Sequence, residues 1–145
     1  MYFASPIQST STICALLACA FALWRGGGAE RLAAVLILVD WFVTPLIQGQ
    51  QSFAHTQMGV FLLDGILTLG LLVIALRADR FWPMWVVAFQ ALELLMHVAM
   101  LVDRHVHARA YFIGIEITSY MILLALVIGT WCERPARTAR RVAAP

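Results

Sequence analysis

Five apolar runs, at about residues 5–24, 31–48, 57–76, 81–102 and 109–132, follow one another with only short polar breaks between them. Each has roughly the 17 to 25 residues that a helix needs to cross a hydrocarbon core about 30 Å thick. A bilayer offers the backbone N–H and C=O groups no partner, so few folds are open to such a chain. It must close its hydrogen bonds within each span, as helices do. The expected fold class is therefore all-α, a polytopic transmembrane helix bundle of five helices. The count falls to four if the first helix, which opens on the polar stretch SPIQSTST, lies only in the interface. Composition points the same way. Of 145 residues, 62% are hydrophobic and 12% charged, and the mean hydropathy is +0.84, which leaves too little polar surface for a soluble domain of this size. Residues 1–132 are expected to form one transmembrane unit and residues 133–145 a basic tail. Residues 13–24 look like the apolar part of a signal peptide, but nothing before Arg25 is basic apart from the amino terminus. A retained first helix is the expectation.

The basic residues, all of them Arg, orient the bundle. Arg25, Arg31, Arg77 and Arg80 fall in the breaks on one side together with Arg134, Arg137, Arg140 and Arg141 of the tail, whereas only Arg104 and Arg109 fall on the other side. The positive-inside rule then puts the amino terminus outside and the carboxyl terminus inside, which in a bacterium means the periplasm and the cytoplasm. Trp24, Trp82, Trp85 and Trp131 all sit at inner helix ends, as an interfacial aromatic belt does. Cys14, Cys19 and Cys132 lie in or at the end of apolar helices and read as packing residues, with no CxxC spacing.

With the orientation set, each polar residue inside a span acquires a depth. Counted at 1.5 Å per residue, Asp40, Asp64, Glu93, His97 and Glu116 lie roughly 8 to 14 Å below the outer surface. They also lie on helical faces. Asp40, Thr44 and Gln48 are spaced i, i+4, i+8; Asp64 and Thr68 are i, i+4; Gln90, Glu93 and His97 are i, i+3, i+7; Glu116, Ser119 and Tyr120 are i, i+3, i+4. The inner halves, such as LILV before Asp40 and LLVIAL after Gly70, are nearly unbroken aliphatic. An ionisable side chain near the bilayer centre costs about 2.5 to 3.5 kcal/mol, so unpaired acids in this number would consume the stability of a small protein. They must face inward and share protons, hydrogen bonds or a cation. His97 is the one base at their level. The expectation is an outward-facing pocket of Asp40, Asp64, Gln90, Glu93, His97, Glu116 and Tyr120, closed on its inner side by an apolar plug.

Three uses of such a pocket compete. A divalent metal such as Zn, Mn, Fe or Ni suits carboxylate and imidazole together, with Glu93, His97 and Asp64 as ligands and with His55, Asp103, His105 and His107 also predicted on the outer side. Proton or cation coupling is the second use, since chains of acid and His mark relays and transport sites in membranes, although no inverted repeat is visible here. The third is structural: polar side chains bonded across helices fix a bundle's geometry, and small accessory subunits of membrane complexes often have little else. The residues favour a membrane accessory or binding protein holding a cation or protons, with a coupled transporter or an embedded metal-dependent enzyme as the alternative. No catalytic motif is present: HExxH is missing, and RGGGAER (25–31) lacks the phosphate-loop pattern and reads as a flexible connector. Expected partners are the lipid bilayer and either a larger membrane complex or further copies of the chain. A net charge of +2, with no basic patch outside the tail, gives no case for nucleic acid.

The segments LRADRFWPMW (76–85), LVDRHVHARAY (101–111) and LLALVIGTW (123–131) resemble a group of small, functionally uncharacterised bacterial inner-membrane proteins that carry an RxDRFWPxW motif. The likeness covers about the second half of the chain. It implies a bacterial origin and an inner-membrane location, and it assigns a role to no residue.

Overall fold

A computed structural model describes the backbone of residues 6–48, 53–102 and 108–142 and the side chains of residues 10–47, 58–102 and 111–132. The chain is all-α, with helices α1 (Pro6–Arg25), α2 (Gly28–Gln48), α3 (Phe53–Arg77), α4 (Trp82–Val102) and α5 (Ala108–Val142). Consecutive helices pack side by side, and α5 returns to touch both α1 and α2, which closes the bundle. Met58–Arg77, Trp82–Val102 and Tyr111–Cys132 are long and apolar enough to cross a membrane, while Thr10–Arg25 is apolar but shorter. In α2 the charges of Glu30, Arg31 and Asp40 interrupt the apolar run. The chain is a helical membrane protein.

Its inside and outside are distributed as lipid demands. Leu17, Leu62, Ile66, Leu69 and Leu95 are exposed on the outer surface of the bundle, whereas Asp64, Gln90, Glu93 and His97 are buried. Exposed aliphatic side chains in this number would aggregate in water but match acyl chains. The apolar core contains Ala15, Ala18, Cys19 and Ala22 of α1 and Ala33 and Ala34 of α2. Small residues three or four apart let helix backbones approach closely, the usual basis of packing where no hydrophobic force separates helix from lipid. Ile37, Leu67, Leu71, Val86, Ile122, Leu123 and Leu126 complete this core.

Helix boundaries differ from the sequence expectation toward both ends of the chain. The connector RGGGAER is mostly helix: only Gly26 and Gly27 lie between α1 and α2, and α2 starts at Gly28 rather than near residue 31. Gly26 is required there, because a Cβ would stand 2.3 Å from the Ala22 carbonyl oxygen and 2.6 Å from Glu30 Cβ. Glu30 then reaches back to accept the Gly27 N–H at 2.9 Å, the half of a capping box that satisfies an orphan donor at the helix start. At the other end of the chain, α5 continues through the basic tail to Val142, so residues 133–142 are helical. Pro83 sits in the first turn of α4, where no intrahelical donor is lost. Pro45 lies inside α2 and has no N–H to offer the Trp41 carbonyl one turn back.

Candidate functional site

Side chains from α2, α3, α4 and α5 converge in the half of the bundle that holds the carboxyl ends of α2 and α4, the outer half by the sequence expectation. His97 and Asp64 meet directly, Nε2 to Oδ2 at 2.7 Å, with side chains only 6% and 8% exposed. The other ring nitrogen, Nδ1, lies 2.8 Å from the Tyr111 hydroxyl at the start of α5. A neutral imidazole has one donor and one acceptor nitrogen. With Nε2–H donating to the Asp64 carboxylate, Nδ1 accepts from the Tyr111 O–H, and hydroxyl, imidazole and carboxylate form a directed chain. The Tyr111 ring stands edge-on to the imidazole, centroids 5.6 Å apart, which holds its plane.

One turn further in, Glu93 Oε1 accepts hydrogen bonds from Ser119 Oγ at 2.6 Å and Thr118 Oγ1 at 2.9 Å, both on α5. The Thr118 hydroxyl also lies 3.0 Å from the carbonyls of Gly114 and Ile115. It has a single proton to share among them, so Ser119 makes the stronger bond to Glu93. Asp40, Asp64 and Glu93 stand near enough for their charges to interact. Asp40, Gln90, Glu93 and Ser119 line a cavity of about 40 Å³.

Of the residues expected in the pocket, Asp40, Asp64, Gln90, Glu93 and His97 are therefore brought together. Glu116 and Tyr120 are on the same stripe of α5 as Ser119 but turn toward α1, where the Tyr120 hydroxyl bonds the side chains of Glu116 and Ser11. Thr68 leaves its stripe partner's carboxyl alone and donates to the Asp64 backbone carbonyl at 2.7 Å. Gln48, His55, Asp103, His105 and His107 lie outside the residues whose side chains are described. Of the trio suggested for a metal, Asp64 and His97 are bonded to each other, and both His97 nitrogens have protein partners. Among the described residues, no group of three His, Cys, Asp or Glu is placed to hold a metal ion.

Tyr111 and Thr118 were not among the residues expected in the pocket. Tyr111 had a signal available, being an aromatic hydroxyl two residues into helix five, beside the outer end of helix four. Thr118 had none, since a threonine that bonds its own helix backbone looks the same in sequence as one that reaches across.

A second polar cluster was also missed, at the inner end. Glu30, 1% exposed, accepts from the Trp82 indole Nε1–H at 3.0 Å, and Arg80 Nη1 lies 3.6 Å from the same oxygen. Trp82 lies against α5 at Gly129, where a Cβ would stand 2.4 Å from the indole. Ten residues of α2, about 15 Å, separate Glu30 from Asp40, and the apolar core packs between the two clusters. The inner cluster fastens the starts of α2 and α4 together, while the outer one holds the acids.

No family model, curated protein or solved structure matches this chain.

Proposed function

We propose that the chain is an accessory or binding protein of the bacterial inner membrane whose outer-half cluster takes up protons from the periplasmic side. The observation that carries this reading is the chain Tyr111–His97–Asp64, buried, with partners at both ring nitrogens of the one histidine among the described side chains. A buried imidazole held between a hydroxyl and a carboxylate can accept a proton with little reorganisation. On protonation both nitrogens become donors, the Tyr111 hydroxyl turns its oxygen lone pair toward Nδ1, and Asp64 stabilises the new charge. Glu93, held by the Ser119 and Thr118 hydroxyls, supplies a further acid near enough to interact electrostatically with that charge. The core on the inner side supports a site that exchanges with one side of the membrane, and the distribution of Arg supports that side being the periplasm.

The experiment is difference infrared spectroscopy of the full chain in lipid nanodiscs as external pH is stepped. The expected result is a carboxyl band that changes with pH and is altered in both Asp64→Asn and Glu93→Gln. Buried carboxyl bands that do not respond to pH, with folded protein, would refute proton uptake. Co-purification from the native membrane tests the accessory role, and a chain that runs alone in every mild detergent would count against it.

A further inference from the structure

The cavity on the inner side of Glu93 contains an unmatched pair. Gln90 is 1% exposed, yet its Nε2 has no hydrogen-bond partner, and neither has Asp40 Oδ1. Both residues line the cavity of about 40 Å³. One orphan is a donor and the other an acceptor, so a single guest that both accepts and donates satisfies them together. From this we infer that the cavity holds one bound water, bridging the Gln90 amide to the Asp40 carboxyl and joining Asp40 to Glu93. The proton-carrying part of this inference rests on the proton-uptake reading; the presence of the water does not.

Size and lining both select water. A cavity needs about 10 to 15 Å³ to hold one, and the water needs two to four polar partners. Gln90 N–H supplies the donor, Asp40 Oδ1 accepts one water O–H, and the second O–H faces Glu93 and Ser119. The Ser119 hydroxyl gives its own hydrogen to Glu93 and so keeps lone pairs toward the water. The rest of the lining includes the apolar side chains of Ile37, Leu67 and Ile122. An organic ligand needs a site of several hundred Å³. A bare metal cation needs oxygen ligands around it, and an amide N–H aimed into the space opposes its charge. Water is also the one guest that leaves the cluster electrically unchanged.

The bridge gives Asp40 a part in the site that direct contacts do not. When Glu93 is protonated, its O–H bond breaks as the hydrogen passes to the water oxygen, and a hydrogen of that water passes to Asp40 Oδ1. Glu93 ends as carboxylate, Asp40 as carboxylic acid, and the water is regenerated, with no change in oxidation state. A proton thus gains a second resting place, apart from the His97–Asp64 pair.

The test is infrared difference spectroscopy of the full chain in nanodiscs, in ordinary and in heavy-oxygen water, with Gln90→Leu and Asp40→Asn as variants. The wild type is expected to show an O–H stretch of an isolated water that shifts on oxygen exchange. Gln90→Leu, which removes the donor and fills the space, should lose it, and Asp40→Asn should shift its frequency. A wild-type spectrum with no exchange-sensitive O–H band overturns the inference whatever the variants do, as does a band unchanged in both variants. Melting in sodium chloride and in choline chloride should coincide; a sodium-specific rise that Asp40→Asn abolishes would replace the water with a cation. If the carboxyl bands titrate while the water band is absent, this inference fails and proton uptake stands. If the water band is present while the carboxyls ignore pH, the water is a structural bridge and its proton-carrying role is overturned.

Discussion

Removing Asp64 and His97 singly and together measures how much the outer cluster holds the bundle. The two side chains meet at 2.7 Å and are almost fully buried, so each single truncation to Ala strands a polar partner in a low-dielectric interior. Breaking a buried pair from one side costs about 3 to 5 kcal/mol. The coupling between the two is smaller, because each truncation to Ala also leaves a cavity and drops the residue's other contacts, losses that recur in the double variant and cancel. Hydrogen bonds inside membrane proteins average about 0.6 kcal/mol in double-mutant cycles and reach about 1.7 kcal/mol. A short contact with charge assistance belongs at the top of that range, so the cycle should return about 1 to 2 kcal/mol. The His97–Tyr111 bond is lost in both variants that lack His97, and it cancels in the difference. The assay is reversible unfolding in bicelles for wild type, Asp64→Ala, His97→Ala and the double variant. Single losses of under about 0.5 kcal/mol, the size of a neutral surface change, together with no measurable coupling, would refute the pairing.

Three further outcomes follow from the geometry. Ser119→Ala should destabilise by about 1 kcal/mol, and the double variant with Thr118→Val by more than the sum of the single losses, since Glu93 then keeps neither hydroxyl donor; the same unfolding assay checks both. At the other end of the bundle, Trp82→Phe removes the indole donor to Glu30 and should cost about 1 to 3 kcal/mol, whereas Arg80→Gln, which breaks the longer and partly exposed ion pair, should cost under about 1 kcal/mol by thermal melting. Gly129→Ala places a methyl where the Trp82 ring lies and should destabilise by about 1 to 3 kcal/mol with a change in tryptophan fluorescence; a neutral result would mean the indole does not rest on α5.

The spans and the outer cluster were largely legible, for one physical reason: in a chain made for lipid a polar side chain is conspicuous, and its helical phase and depth can both be counted. Asp64, Glu93 and His97 show this, Asp64 on a stripe of α3 and the other two on one stripe of α4, all within the same half of the bundle. What counting does not supply is which neighbour a stripe faces. Glu116, Ser119 and Tyr120 share a face of α5, but α5 packs against α1 and α4 at once, so Ser119 turns to Glu93 while Tyr120 turns to Ser11. The inner lock was hidden by its surroundings. Gly26 and Gly27 made Glu30 look like part of a loop, and Trp82 among other interfacial aromatics looked like belt, although each completes the other's hydrogen bonding.

The proposed site requires acids and histidine from different helices to meet inside the bundle, and one distance tests that most directly. Solid-state NMR of the chain in lipid bilayers, with labelled histidine side-chain nitrogen and aspartate carboxyl carbon, reads the dipolar coupling between His97 and Asp64, and the His97→Ala spectrum identifies the signal. The structure predicts a strong coupling, consistent with Nε2 and Oδ2 in contact at 2.7 Å. A His97 nitrogen with no aspartate carboxyl in dipolar range would contradict it.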